Sequence, residues 1–213
     1  MTEAAIASQS IPPFQAIVLD GVGTVVFTQS ADGSFSVSED SQSDLLGVDV
    51  RDGTLYIGTG SRKGTIRIVN FKTLPDVRVS APSLERLSIS GAGKADISSL
   101  KTGHLEVSVD GAGAIRLGSV ELDSCDVSIG GAGSVSGNGK AREQSISIVG
   151  TGNFSGDGLV GEAVSVSIAG AGRAKVHATR ILTAEIGGVG QISYVGDPQV
   201  QSRITGLGRI KRA

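Results

Sequence analysis

The stretch Val127-Ser-Ile-Gly-Gly-Ala-Gly-Ser-Val135 decides the fold of this protein, because its pattern recurs along most of the chain. Its Gly-x-Gly unit begins at Gly131, and a β-branched residue, Ile129, stands two positions before it. Successive units start 18 to 20 residues apart, which identifies a repeat. The first glycines of the seven units are Gly91, Gly111, Gly131, Gly150, Gly170, Gly188 and Gly206.

Apolar and polar residues alternate around each unit. The positions two and four before the unit are mostly Ile, Val or Leu, and a serine column lies between them. A period of two places the apolar side chains on one face of a strand. No apolar stripe with helical spacing appears. The serine column consists of Ser88, Ser108, Ser128, Ser147 and Ser167.

A strand-only repeat of this length predicts an all-β fold in which each repeat forms one coil of a parallel β-helix, or β-solenoid. Equivalent residues of successive coils then lie about 4.8 Å apart. Ile129, Ile148 and Ile168 are expected to stack inside on consecutive coils, and glycine allows close backbone approach at the corner. An antiparallel sandwich is the competing arrangement, but the regular spacing of the glycine units favours the solenoid.

The N-terminal part is rich in strand patterns but less regular. Phe14 to Thr28 alternates around Gly21-Val-Gly23, an eighth copy of the glycine unit. Asp52-Gly53 predicts a hairpin turn, and Thr65 to Asn70 reads as a strand. We therefore expect a disordered segment at 1–13 and a single β-solenoid domain at 14–213, composed of irregular strands or a cap at 14–76 and repeat coils at 77–213.

Composition excludes several classes of protein. The 213 residues carry 19 basic and 21 acidic side chains, a net charge of −2, which gives no electrostatic reason to expect a nucleic-acid partner. No apolar run reaches the roughly 18 residues of a membrane-spanning helix. Cys125 is the only cysteine, so an intrachain disulfide is excluded. The first ten residues lack a secretory pattern, which predicts either a cytoplasmic protein or one whose export signal was trimmed.

Three blocks in order carry a family resemblance: Phe14-Gln-Ala-Ile-Val-Leu-Asp-Gly-Val-Gly-Thr-Val-Val-Phe-Thr-Gln29, Asp52-Gly-Thr-Leu-Tyr-Ile57 and Pro82-Ser-Leu-Glu-Arg-Leu-Ser-Ile-Ser-Gly-Ala-Gly93. With them the chain resembles the bacterial "putative auto-transporter adhesin, head GIN domain" family, a domain of unknown function, over roughly Phe14 to Arg212. The resemblance implies a right-handed parallel β-helix, a place in the cell envelope and a role in adhesion. It implies no catalytic residues.

The repeated glycines do not predict a cofactor or metal site. A dinucleotide fingerprint needs a third glycine three residues later and a helix after it, but Ser136 holds that position after Gly131 and no helix follows. Calcium-binding solenoids place an aspartate two residues after the last glycine, where this chain has Val135. We therefore expect no cofactor, no cofactor-binding residue and no metal ligand.

The acidic and histidine residues do not form a recognisable catalytic set. Asp110 has Ser90 and Gly130 as its expected neighbours, and Asp96 faces Arg116, which suits a surface ion pair. A serine nucleophile would require a histidine base at a fixed spacing from it, and no histidine stands at a fixed spacing from the serine column. The remaining candidates are interpreted as exposed polar or strand residues: Asp123, Cys125, Asp126, His104 and His177. No catalytic residue is predicted.

The sequence pattern predicts a non-enzymatic β-solenoid module, and the family resemblance implies a place in the bacterial cell envelope or surface with an adhesion, binding or structural role. Its expected partners are other copies of itself, packed laterally through the serine column, and a glycan or cell-surface protein. A carbohydrate-active β-helix enzyme and a cytoplasmic scaffold polymerising through its ends are the alternatives. The last coil carries four cations: Arg203, Arg209, Lys211 and Arg212. Their charge is expected to prevent end-to-end stacking of solenoids, and the alternative interpretation is contact with an anionic surface.

Overall fold

The glycine-unit repeats form the stacked parallel coils of a β-solenoid of about six turns. The computed structural model describes residues 11–37, 46–59, 66–68 and 76–213. Each coil hydrogen-bonds to the next in parallel register, so that Ile129 lies opposite Val109 on one side and Ile148 on the other. The predicted all-β solenoid is confirmed, and the sandwich is excluded because the repeat strands pair in parallel.

Five long strands form the body of the solenoid. Register irregularities, such as the one between Leu117 and Ser119, absorb the differences in coil length. The long strands are β9 (Lys94–Val109), β10 (Ala114–Ile129), β11 (Ser134–Ile148), β12 (Asn153–Ile168) and β13 (Ala171–Ile186). The shorter strands are β1 (Ala16–Gly21), β2 (Thr24–Gln29), β3 (Ser34–Val37), β4 (Leu46–Arg51), β5 (Thr54–Thr59), β6 (Ile66–Ile68), β7 (Asp76–Ala81), β8 (Arg86–Gly91), β14 (Val189–Val195), β15 (Gln199–Ile204) and β16 (Leu207–Arg212).

The core consists of columns of apolar side chains, one from each coil. Ile129, Ile148 and Ile168 are register partners and have 0% exposure, which confirms the predicted interior stack. The column continues to Ile186, also 0% exposed, but its last member, Ile204, is 45% exposed. Burial of each column therefore depends on a coil on both sides.

The glycine corner is a stack of backbones too close for side chains. A Cβ added at Gly131 would lie 2.2 Å from the carbonyl oxygen of Gly111, and one at Gly150 would lie 2.0 Å from that of Gly131. The corner is hydrogen-bonded, because the Ala132 N–H donates to the Gly111 carbonyl at 2.9 Å. Steric exclusion of Cβ thus explains why glycine recurs with every coil.

The first two strands, β1 and β2, lie inside the stack of coils rather than at its end. β1 lies between β5 and β8, and β2 lies between β7 and β9. Gly21 is the register partner of Gly91, so the eighth glycine unit joins the stack, although 70 residues separate the two glycines. The chain therefore lays down β1 and β2, forms the neighbouring coil from β5 and β7, and then returns to continue above β1.

Antiparallel strands lie at the N-terminal end of the stack. β4 pairs with β5 and β6, and β3 pairs with β7. The predicted hairpin at Asp52-Gly53 is confirmed, with φ angles of 48° and 70° as in a type I′ turn. Of the strand predicted from Thr65 to Asn70, residues 66–68 form β6, and the rest lies outside the described residues, as do residues 1–10.

The part of the chain that the structure describes contains no helix of the length and hydropathy that crossing a membrane requires.

Candidate functional site

A groove of about 480 Å³ runs along one lateral side of the solenoid, across β9 to β13. Its volume lies within the range of about 300–1,000 Å³ that is usual for ligand sites. The lining residues are His104, Ser124, Asp126, Glu143, Gln144, Ser145, Ala163, Val164, Ser165, Ile181 and Thr183.

Two register columns position most of the lining. The first column contributes His104, Ser124, Glu143, Ala163 and Ile181, one residue from each of five consecutive coils. The second column lies two residues further along each strand and contributes Asp126, Ser145, Ser165 and Thr183. Because the coils are spaced by about 4.8 Å, the groove presents one set of side chains at each step along the solenoid axis.

One end of the groove is polar and carries the charged groups. Nδ1 of His104 lies 2.8 Å from Oγ of Ser124, and Nε2 of His104 lies 3.8 Å from Oδ2 of Asp126. The side chains of His104 and Asp126 are about half exposed, so a ligand in the groove can reach them. Glu143 adds a second carboxylate one coil beyond Ser124. This end therefore offers carboxylate oxygens and an imidazole ring to a ligand.

The other end of the groove is more apolar. Ala163 and Val164 line it, and Ile181 is 38% exposed there. An ion pair stands beside it, with Nη1 of Arg180 lying 3.1 Å from Oε2 of Glu162. The groove thus changes from carboxylates and imidazole to aliphatic side chains over five coils, with the hydroxyls of the second column continuing along its length.

Gln144 is a buried polar side chain at the base of the groove, with 4% exposure. Its Nε2 donates to the carbonyl oxygens of Leu159, at 3.0 Å, and Ala141, at 3.3 Å. Its Oε1 is buried without a hydrogen-bond partner among the described residues. The first bond joins β11 to β12, and the second fixes the Gln144 side chain against its own strand beneath the groove.

The other acidic residues considered as catalytic candidates lie outside the groove lining. Asp123 is not among the residues that line the groove, and its Oδ1 lies 3.6 Å from Nη1 of Arg142. Asp96 is the register partner of Arg116, as expected. Asp110 lies beside the glycine corner, where its backbone N–H donates to the Ile89 carbonyl at 2.9 Å.

The second histidine and the cysteine also lie apart from the groove. Nδ1 of His177 lies 3.2 Å from the Asp157 carbonyl oxygen. The neighbouring ammonium of Lys175, 2.8 Å from Asp157, hydrogen-bonds that carboxylate and holds its pKa below the ordinary value. Cys125 is buried inside β10, and burial, with a smaller contribution from the charge of Asp126, raises the pKa of its thiol to about 12. A neutral, buried thiol does not act as a nucleophile.

The serine column forms a ladder beside the groove. Ser88, Ser108, Ser128, Ser147 and Ser167 are successive register partners. Oγ of Ser108 donates to Oγ of Ser88 at 2.8 Å. The ladder follows Asp126 and Ser145 by two residues along their strands, so that it lies on the same lateral side as the second groove column.

The sequence pattern predicts an exposed polar role for His104 and does not reveal its contact with Ser124 and Asp126. The repeat spacing could have revealed this contact. Ser124 follows His104 by 20 residues, which is one coil, and Asp126 lies two residues beyond Ser124 on the same face of the strand. Within residues 11–37, 46–59, 66–68 and 76–213, no three histidine, cysteine or carboxylate side chains assemble into a metal-binding group.

Comparisons with known proteins agree with this architecture. A family model described as "Putative auto-transporter adhesin, head GIN domain" matches residues 13–198. No curated protein matches the chain.

Several solved structures are similar over almost the whole chain. A "putative adhesin" from Bacteroides fragilis NCTC 9343 is 27% identical with a TM-score of 0.85, covering 98% of this chain and 96% of its own. A "putative adhesin" from Parabacteroides distasonis ATCC 8503 is 26% identical with a TM-score of 0.75, at the same coverage. A "putative lipid binding protein" from that organism is 25% identical with a TM-score of 0.74, again covering 98% and 96%.

Proposed function

Because this chain belongs to the head GIN domain family, we propose that it is a cell-envelope adhesion module that binds a glycan in the lateral groove without transforming it. The family description names adhesins, and the similar structures include two described as putative adhesins. An adhesin meets its partners outside the cytoplasm, which supports a location in the envelope or on the cell surface.

The observation that carries the proposal is the extent of the groove over five hydrogen-bonded coils. The hydroxyls of Ser145, Ser165 and Thr183 recur with the coil spacing of about 4.8 Å, and each acts as donor and acceptor. An extended sugar chain presents its own hydroxyls ring after ring along such a row. The carboxylates of Asp126 and Glu143 accept further hydrogen bonds from sugar hydroxyls.

A matched pair of substitutions tests the groove as the binding surface. Ser165→Arg places a long side chain in the groove, whereas Ser155→Arg places the same side chain at an exposed position on β12 outside the lining. Against a panel of immobilised bacterial and host polysaccharides, the parent and Ser155→Arg should retain the same glycans, and Ser165→Arg should lose them at least tenfold. Equal retention by the two variants would place binding elsewhere, and no retention by any form would reject glycan binding.

A second function, glycan cleavage, has one supporting observation: Asp126, Glu143 and His104 line the same groove. Glycosidases use two carboxylates on either side of the bond that they cleave. Release of reducing ends from the retained glycans, abolished by Asp126→Asn or Glu143→Gln, would favour this enzyme over the adhesion module. The adhesion proposal expects no product above the protein-free blank, and the two variants then change affinity only.

The serine ladder supports lateral self-association. Small hydroxyl side chains on successive coils permit close approach of a second copy, which would set two grooves side by side and raise avidity for a repetitive glycan. Ser128→Arg combined with Ser147→Arg should convert an oligomer into a monomer in sedimentation at tens of micromolar. A monomeric parent would reject this association, and an oligomer unaffected by the arginines would place the contact on another side.

A further inference from the structure

The last coil exposes positions that earlier coils bury. Val200 and Ile204 of β15 are 37% and 45% exposed, whereas their register partners Leu182 and Ile186 are 0% exposed. Ile210 of β16 is half-buried, whereas its register partner Ile192 is 0% exposed. The end of the core is therefore an apolar row open to solvent at this end of the described solenoid.

The same coil carries a free backbone edge. Among the described strands, β15 pairs only with β13, and β16 pairs only with β14. The N–H groups of Leu207 and Ala213 donate to Gly188 and Tyr194 of the preceding coil, at 2.8 and 2.9 Å. Because hydrogen-bonding direction alternates along a parallel strand, the N–H groups that face the open edge are those of Gly208, Ile210 and Arg212.

Positive charge is concentrated on this edge. Residues 199–213 contain four cations and no acidic side chain, whereas the rest of the chain has 15 basic and 21 acidic residues. Arg212 lies 3.3 Å from Asp197, and no carboxylate of the described residues lies within 4 Å of Arg203, Arg209 or Lys211. The edge therefore attracts an acidic partner and repels the same edge of a second copy.

These features together distinguish between possible occupants. A lipid surface would have to accept unpaired backbone N–H and carbonyl groups, which is unfavourable in hydrocarbon. A strand satisfies those groups by continuing the ladder. We propose that β16 binds an extended acidic segment of a partner protein, with carboxylates facing Arg209 and Lys211 and apolar side chains covering Ile210. This surface lies apart from the lateral groove, and the proposal does not depend on glycan binding.

The test uses a fluorescently labelled ten-residue peptide that alternates glutamate and valine. Titration with the full chain should give an anisotropy change with a Kd on the order of 10–100 μM, as for a weak contact. A peptide alternating lysine and valine should bind at least tenfold more weakly. The glutamate peptide with N-methyl groups on alternate residues should also bind at least tenfold more weakly, because it loses main-chain donors while keeping its charge.

A charge-reversal pair locates the contact. Arg209→Glu combined with Lys211→Glu should reverse the preference, so that the lysine peptide binds more tightly than the glutamate peptide. Arg116→Glu combined with Arg173→Glu is the matched control, because these residues occupy the same two outward columns on coils whose edges are already paired. Circular dichroism and melting temperature should be the same for both variants and the parent.

Three outcomes would overturn the proposal. Equal binding of the N-methylated and parent glutamate peptides would show electrostatic attraction without strand addition. Binding to vesicles of phosphatidylcholine and phosphatidylglycerol, with no binding of the glutamate peptide, would assign the edge to a lipid surface. Loss of peptide binding in the control pair to the same extent as in the Arg209 and Lys211 pair would place the contact away from β16.

Discussion

At the scale of single residues, burial decides the chemistry of Cys125. The thiol lies in the interior column between Leu105 and Gln144, and burial raises its pKa to about 12 from an ordinary value of 9.0. We expect a disulfide-forming thiol reagent to leave the folded protein unmodified at pH 8 and to react once denaturant unfolds it. Reaction of the native protein at the rate of the denatured chain would contradict the burial.

The same pKa shift predicts a pH dependence of stability. Between about pH 9 and 12 the unfolded thiol ionises while the folded thiol stays protonated, so ionisation favours the unfolded state. The stabilisation is complete below pH 9 and is lost as pH rises, by up to about 1.4 kcal/mol per pH unit. Denaturant unfolding of Cys125→Ala should show a shallower alkaline loss than the parent. Equal slopes would mean that the thiol does not contribute.

Two adjacent residues test the inside and outside assignment. Ile148 is 0% exposed, whereas its neighbour Val149 is 61% exposed. Ile148→Asp buries an unpaired carboxylate in an apolar column and should cost more than about 3 kcal/mol of folding free energy. Val149→Asp should change stability by about 0.5 kcal/mol or less. Thermal and urea unfolding of the two variants measures this difference. Similar melting temperatures for both would contradict the assignment of Ile148 to the interior and Val149 to the surface.

At the scale of the secondary-structure elements, the glycine corner sets how closely the coils stack. Gly131→Ala would bring Cβ to 2.2 Å from the Gly111 carbonyl oxygen, so the backbone would have to shift. Gly103→Ala is the matched control, because Cβ there would meet only Oδ2 of Asp123, at 3.8 Å. We expect a loss of about 1–3 kcal/mol for Gly131→Ala and little change for Gly103→Ala. Equal midpoints in urea would contradict the steric account.

The elements also show which features were predictable. The interior columns followed from the offset of Ile129, Ile148 and Ile168 from the glycine unit, because a period-two pattern assigns faces directly. The insertion of β1 and β2 beside β8 and β9 did not follow, because strand order depends on long-range pairing that no local pattern encodes. The groove did not follow either, since it arises from the relative sizes of side chains on five different coils.

At the scale of the whole molecule, the two ends of the chain hold unequal places in the stack. β1 and β2 lie between other coils, and Ile17 and Leu19 face Leu55 and Ile57 across the ladder. Deleting residues 1–29 should therefore remove cooperative unfolding, because coils on both sides lose their partners. Deleting residues 199–213 removes an end coil and should lower the melting temperature by only a few degrees. Equal decreases in melting temperature for the two deletions, measured by calorimetry, would contradict the placement of β1 and β2 between other coils.

At the scale of the whole molecule, the central proposal is that the solenoid presents the lateral groove across β9 to β13 to a glycan. Backbone amide NMR during titration with the most strongly retained oligosaccharide tests this claim most directly. Glycan binding in the groove predicts chemical-shift changes centred on His104, Ser124, Ser145, Ser165 and Thr183, with the glycine corner and β16 unchanged. Changes centred on the glycine corner, on β16 or on the side of Ser155, with the groove unaffected, would contradict it.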